Sequence, residues 1–501
     1  MNGKIKSLIV SGVFILALGI MLVVLKLNGL DTTDTDSSST SAAVTTADTS
    51  VSIISTDSAN IKQITVKNTN ADYTLVQSGT DSSTGDPTFS LKELKDVNQS
   101  DTLTGAMANI ASTLKATNIA EKDAQDLSKY GFDKPRSTFT VTFGDSTPAR
   151  TFLIGNDSPV NNTVYLNEQG SKTVYIASAA SLSYFTDTLA SFAALALVEA
   201  PANDAYPTYV KETIVRKDLD YPVIFEQDPT PSSTDADDPS MVSAQVMTSP
   251  IFAYLNVTNS TPVTHGIWGL NATSCAAVFP TDKDFAKYGL ADPQTKVTLV
   301  SGGADYVLKI GNPVYAKDDN GDDTTTVESY YCWIDAKGCD AIYTVAADDL
   351  PWVTFQPSDV ITSLMTYNYI YNIKNIVIED LTASATSTLN FHADKPALTI
   401  TPDLDGTAVT SDLTKQFYQF LMGSPTTEIY STEPKNACVY RISINLTAGG
   451  GDVLEFYPDT ERRTIIKLNG KTSFRIPTTY LTALKANLVN LAQGKEMETT
   501  Y

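Results

Sequence analysis

One short stretch of this 501-residue chain gathers oxygen ligands at a spacing that could hold a cation: Asp318-Asp319-Asn320-Gly321-Asp322-Asp323. Asp318, Asn320 and Asp322 alternate as the leading donors of a calcium loop do, which makes them the candidate metal ligands. The pattern then departs from that loop. Asp323 stands where the turn glycine belongs, and Ser329 where the bidentate glutamate belongs. The competing reading is a solvated loop inserted between two strands. Other chemistry is sparse. His265 and His392 lie far apart without ligand companions, and no His-x-x-x-His, Cys-x-x-Cys, phosphate-binding Gly-Lys loop or Gly-x-Ser-x-Gly element occurs. Carboxylates are plentiful, so a glycosidase-like acid–base pair stays open, but no pair is singled out. The expectation is a protein that is not an enzyme and carries no cofactor.

The elements that would position such residues begin after residue 30. Residues 8–25, LIVSGVFILALGIMLVVL, form an uncharged apolar run. As a helix it would span roughly 27 Å, close to the hydrocarbon thickness of a bilayer. It exceeds the usual apolar core of a cleaved signal peptide and no Ala-x-Ala site follows, so it reads as a signal anchor. Lys4 and Lys6 favour a cytoplasmic N-terminus, with the bulk of the chain extracytoplasmic. Residues 31–52, rich in Ser, Thr and Asp, read as a flexible tether. The formal charge is −22, and residues 31–501 carry 32 basic against 57 acidic side chains. Such a surface repels phosphate backbones, which argues against nucleic acid as a partner. The four cysteines make no disulfide framework. Cys332 and Cys339 flank a turn, which leaves a bond between them open, and Cys275 and Cys438 read as small buried hydrophobes.

The folded part is written in repeats. Asp126-Leu-Ser-Lys-Tyr-Gly-Phe-Asp-Lys-Pro135 returns as Asp284-Phe-Ala-Lys-Tyr-Gly-Leu-Ala-Asp-Pro293, each followed by strand-like alternation and then Ile-Gly-Asn at 154–156 and 310–312. The block reads as a helix end: Gly131 and Gly289 supply the left-handed stop, Phe132 and Leu290 pack back, and Pro135 and Pro293 prevent continuation. Phe139, Val141 and Phe143 alternate as in a half-buried strand. Hairpins follow at 163–176 and 330–345, and helical stretches near 181–195 and, more loosely, 346–364 close the two copies. Strand-like openings recur at 61–66, 210–215 and 372–378. Leu103, Met107, Ile110 and Leu114 mark a helix with one buried face. A third, degenerate copy has a helix capped by Ser411 and stopped at Gly423. Its strands include a hairpin turning at Asn469-Gly470, and its closing helix bears Leu481, Leu484, Leu488 and Leu491. The expected fold is α+β: tandem antiparallel-sheet modules with packed helices at 53–209, 210–372 and 373–501, after one transmembrane helix.

These features resemble the bacterial family called domain of unknown function 4340. The resemblance rests on Tyr130-Gly131-Phe132 with Pro135, Tyr288-Gly289-Leu290 with Pro293, Ile154-Gly155, Ile310-Gly311, Val174-Tyr175 and Tyr330-Tyr331. Members of that family are often encoded beside ABC-2-type exporter subunits and gliding-motility-like proteins. The resemblance implies a membrane-anchored, extracytoplasmic accessory or scaffold protein, with ABC permease or auxiliary subunits as partners, and carries over no catalytic residue. A second reading is a module that contacts cell-wall polysaccharide or peptidoglycan through its 24 tyrosines. A third is an envelope hydrolase that uses a carboxylate pair.

Overall fold

Strict alternation of apolar and polar residues builds most of the structure. The computed structural model describes residues 50–228, 242–318, 320–423 and 428–500. The expected anchor and nearly all of the tether lie outside these residues. Among the described residues no helix is long and apolar enough to cross a membrane.

Three large antiparallel sheets follow one another along the chain. The first has the spatial order Pro87–Leu91, Asp72–Thr80, Ile61–Asn68, Ser137–Phe143, Arg150–Asp157, Thr163–Glu168, Val174–Ser178 and Asn118–Glu121. The second runs Ala253–Asn256, Val242–Ser249, Val223–Gln227, Tyr209–Arg216, Thr295–Ser301, Tyr306–Lys317, Asp323–Asp335, Ala341–Ala346 and Ser274–Val278. The third runs Thr407–Ala408, Asp403–Leu404, Ala385–Asn390, Ile373–Asp380, Tyr440–Leu446, Gly451–Thr460, Arg463–Leu468 and Lys471–Pro477. In each, the opening strand lies in the middle and pairs with the strand that follows the helix-containing excursion. The pairing slips by one residue at the same place in all three, between Ile61 and Gln63, Tyr209 and Lys211, and Ile373 and Asn375. A bulge at this position bends the central strand and raises its twist.

The class is α+β but mainly β, with fewer helical residues than expected. The helix before Gly131 is only a 3-10 turn, Ser128–Tyr130, whereas its counterpart is a short α-helix, Asp282–Lys287. The closing stretches are also broken. Residues 181–195 hold the end of a one-turn helix, Ala179–Leu182, and two 3-10 turns, and 346–364 two 3-10 turns and Pro357–Val360. Pro351 and Pro357 sit at helix starts, where a missing N–H costs nothing, and each ends the turn that precedes it. Asp101–Ser112 forms as the spacing implies, capped by Ser100, with Met107 buried and Leu103 and Ile110 half-buried. Leu114 lies beyond its end. The cap of Ser411–Met422 is Thr410, one residue before the expected Ser411, because its hydroxyl reaches the N–H of Leu413.

Among the described residues the third sheet has no regular counterpart of the edge strands Asn118–Glu121 and Ser274–Val278. Ile429 takes that place through a single antiparallel bridge to Phe474, flanked by Tyr430 N–H to Ser473 O at 3.0 Å and Arg475 N–H to Glu428 O at 2.9 Å. The Asn469-Gly470 turn has both residues at positive φ, 51° and 79°, as a two-residue hairpin requires. One continuous apolar core runs beneath all three sheets. Cys332 and Cys339 are both buried free thiols, so no bond joins them. Cys332 faces Tyr343 across the sheet, and the thiol of Cys339 points to the carbonyl of Leu197 instead.

Candidate functional site

Asp318 sits at the tip of the hairpin joining Tyr306–Lys317 to Asp323–Asp335. Its Oδ1 accepts from the backbone N–H groups of Asn320 and Asp322, both at 2.9 Å. Those bonds hold its carboxyl below the usual range. Asp323 pairs with Lys317 at 2.5 Å. Among the described residues no three His, Cys, Asp or Glu side chains gather in a group that could hold a metal ion. The structure thus brings Asp318, Asn320 and Asp322 together as one turn, with Asp318 holding backbone.

The two sequence signatures of the repeat meet in space. Gly131 and Gly289 are left-handed, at φ 85° and 75°. Asn156 and Asn312 lie across them, and Asn312 N–H donates to Tyr288 O at 2.9 Å. Phe132 and Leu290 pack back as expected, forming small clusters with Val174 and Ile342 respectively. Around the first joint, the Tyr130 hydroxyl donates to Glu121 at 2.5 Å and Lys129 donates to the same carboxylate at 2.7 Å. At the second, Tyr288 meets Tyr331 with ring centroids 4.5 Å apart. Lys-Tyr-Gly is therefore a structural clasp in both sheets.

Sequence reasoning did not single out the buried acids, of which Glu212 and Asp452 hold the most informative positions. Glu212 is fully buried, accepting from Trp352 Nε1 at 3.0 Å and from the Tyr209 hydroxyl at 3.3 Å. Burial pushes its carboxyl up to about 8, against the lowering effect of those two bonds. The signal was present in the repeat once the bulge fixes the alignment: Glu212 occupies the register position of Ile64 and Ile376. Asp452 joins the second and third sheets. It accepts from Tyr254 at 2.5 Å, Asn469 at 2.8 Å, Asn368 at 2.7 Å and the Thr366 hydroxyl. All four donors are neutral, so among the described residues this buried acid is held by hydrogen bonds and no ion pair.

Clefts flank this joint. One of about 530 Å³ is lined by Asp228, Tyr254, Glu455 and Asn469. Its two carboxylates differ in setting: Asp228 is buried and Glu455 is paired with Arg441 at 3.0 Å. A second, of about 430 Å³, is lined by Tyr367, Tyr369, Tyr371 and Tyr418 together with Lys415 and Gln419.

Fold and site define a mainly-β α+β protein of antiparallel sheets, with the buried Asp452 joining two of them. Residues 96–205, which contain the first clasp, match the model of the family described as Domain of unknown function (DUF4340), and so show the family resemblance that the motifs carry. No curated protein and no solved structure matches the chain.

Proposed function

We propose that this protein is an extracytoplasmic accessory or scaffold subunit of an ABC-type export system, built from three copies of one module. Residues 8–25 anchor it in the membrane and residues 31–52 give it reach. The observation that carries this reading is the way the three sheets are joined. Asn98 N–H donates to Gly338 O at 2.8 Å and Leu197 N–H to Leu270 O at 3.0 Å between the first and second. The Asp452 cluster joins the second to the third. Polar joints, buried at Leu197 and at Asp452, hold the modules to one another, which is what a scaffold that presents several surfaces at once requires. The family match bears on the resemblance from which the export-system part of this reading comes.

Affinity purification of the full chain from its native membrane in mild detergent tests it. Co-purification of permease or ATPase subunits is the expected result. Recovery of the chain alone, under conditions where other transporter complexes stay intact, would sink it.

A further inference from the structure

The segment that leads from the second sheet into the third places tyrosines at alternate positions, Tyr367, Tyr369 and Tyr371. Opposite it, Lys415, Tyr418 and Gln419 share one face of the helix Ser411–Met422, since residues three and four apart are neighbours there. The cleft between them measures about 430 Å³, within the range typical of small-molecule sites. Tyr367 and Tyr418 are buried, whereas Tyr369 and Tyr371 are half-exposed, edge to face with ring centroids 5.3 Å apart.

We propose that this cleft is a binding site for a neutral oligosaccharide, with one or two sugar rings lying against Tyr369 and Tyr371. The negative face of an aromatic ring attracts the polarised C–H face of a pyranose, and tyrosine suits a surface that is apolar on one side and wet on the other. Lys415 and Gln419 add the second half of the chemistry. Among the described residues neither side chain enters an ion pair or a side-chain hydrogen bond, so their donors and the Gln419 carbonyl are free to meet sugar hydroxyls. Charge decides between neutral and anionic glycans. The chain carries a formal −22, which repels an anionic polymer, and among the described residues Lys415 is the single charged side chain lining the cleft. This site goes beyond the scaffold reading and stands independently of it.

Isothermal titration of the full chain in detergent micelles with maltotetraose, cellotetraose and chitotetraose tests the site, with decaproline as the competing occupant because aromatic grooves also take polyproline helices. Saturable binding of at least one oligosaccharide is expected. Tyr371→Ala should then weaken it about tenfold, and Gln419→Ala, at an exposed helix position, by a smaller factor. Tyr315→Ala, an exposed tyrosine on the second sheet, should leave it unchanged. Thermal unfolding of each variant separates lost binding from lost fold. Absence of saturable heat with all three sugars overturns the proposal. So does affinity untouched by both Tyr371→Ala and Gln419→Ala, or saturation by decaproline in their place. Export-subunit recovery is read in a separate experiment, so either reading can fail alone.

Discussion

Gly155 lies against the backbone carbonyl of Tyr130 so closely that a Cβ on it would stand 2.1 Å from that oxygen. Gly311 repeats the relationship with Tyr288, at 2.2 Å. Neither Gly155 nor Gly311 has positive φ, so what the site demands is space, not an unusual backbone. This contact is why Ile-Gly-Asn follows Lys-Tyr-Gly in both copies: the second motif is the floor on which the first turns.

Gly311→Ala should therefore destabilise the protein by about 3 kcal/mol, since the obstructing atom is backbone and cannot swing aside. Gly321 supplies the contrast. It has φ 86° but open space around it, so Gly321→Ala should lose only about 1–2 kcal/mol, from the left-handed backbone alone. Urea unfolding of the two variants orders them, and equal losses would contradict the steric account.

Asp452→Ala should lose at least about 3 kcal/mol, because it strands three buried donors at once, those of Tyr254, Thr366 and Asn368. Limited proteolysis should then cut first between the second and third sheets, near Thr366 and Asn368. A loss below about 1 kcal/mol in urea unfolding would mean that water replaces the carboxylate and the joint is not held by it.

The pH dependence follows from Glu212. Its folded carboxyl is raised to about 8 while the unfolded one titrates near 4.5. Across that window the unfolded state has lost the proton and the folded state has kept it. Stability therefore falls as pH rises from about 4.5 to about 8 and is flat with respect to this group outside those limits, a change on the order of a few kcal/mol. Glu212→Gln keeps an acceptor for Trp352 Nε1 and cannot ionise, so it should flatten that slope and unfold at higher temperature than the parent at pH 8. A parent and variant with parallel pH profiles would contradict the assignment.

Much of the architecture was legible in the chain because it is written locally. Phe139, Val141 and Phe143 alternate and are all buried. Gly131, Gly289 and Asn469-Gly470 turn where their chemistry says they should, and the helix bearing Leu481 and Leu484 runs Thr479–Ala492. The expected helices near 181–195 and 346–364 fell short, since apolar content with interspersed Ser, Thr and Pro fits a chain of turns packed under a sheet as well as it fits a helix. The edge strands Asn118–Glu121 and Ser274–Val278 carried no clean alternation and were missed.

What the sequence determined by itself is the module: strand pattern, turn chemistry and the twice-written clasp are all properties of residues close together along the chain. Only the tertiary structure decided what the modules do to one another. It set the shared bulge that aligns Glu212 with Ile64 and Ile376, placed Asp452 among donors as distant as Tyr254, and brought Tyr369 and Tyr371 opposite Lys415 and Gln419. Each of these joins residues tens to about two hundred positions apart, whose meeting depends on the register and packing of whole sheets. No local pattern encodes that distance.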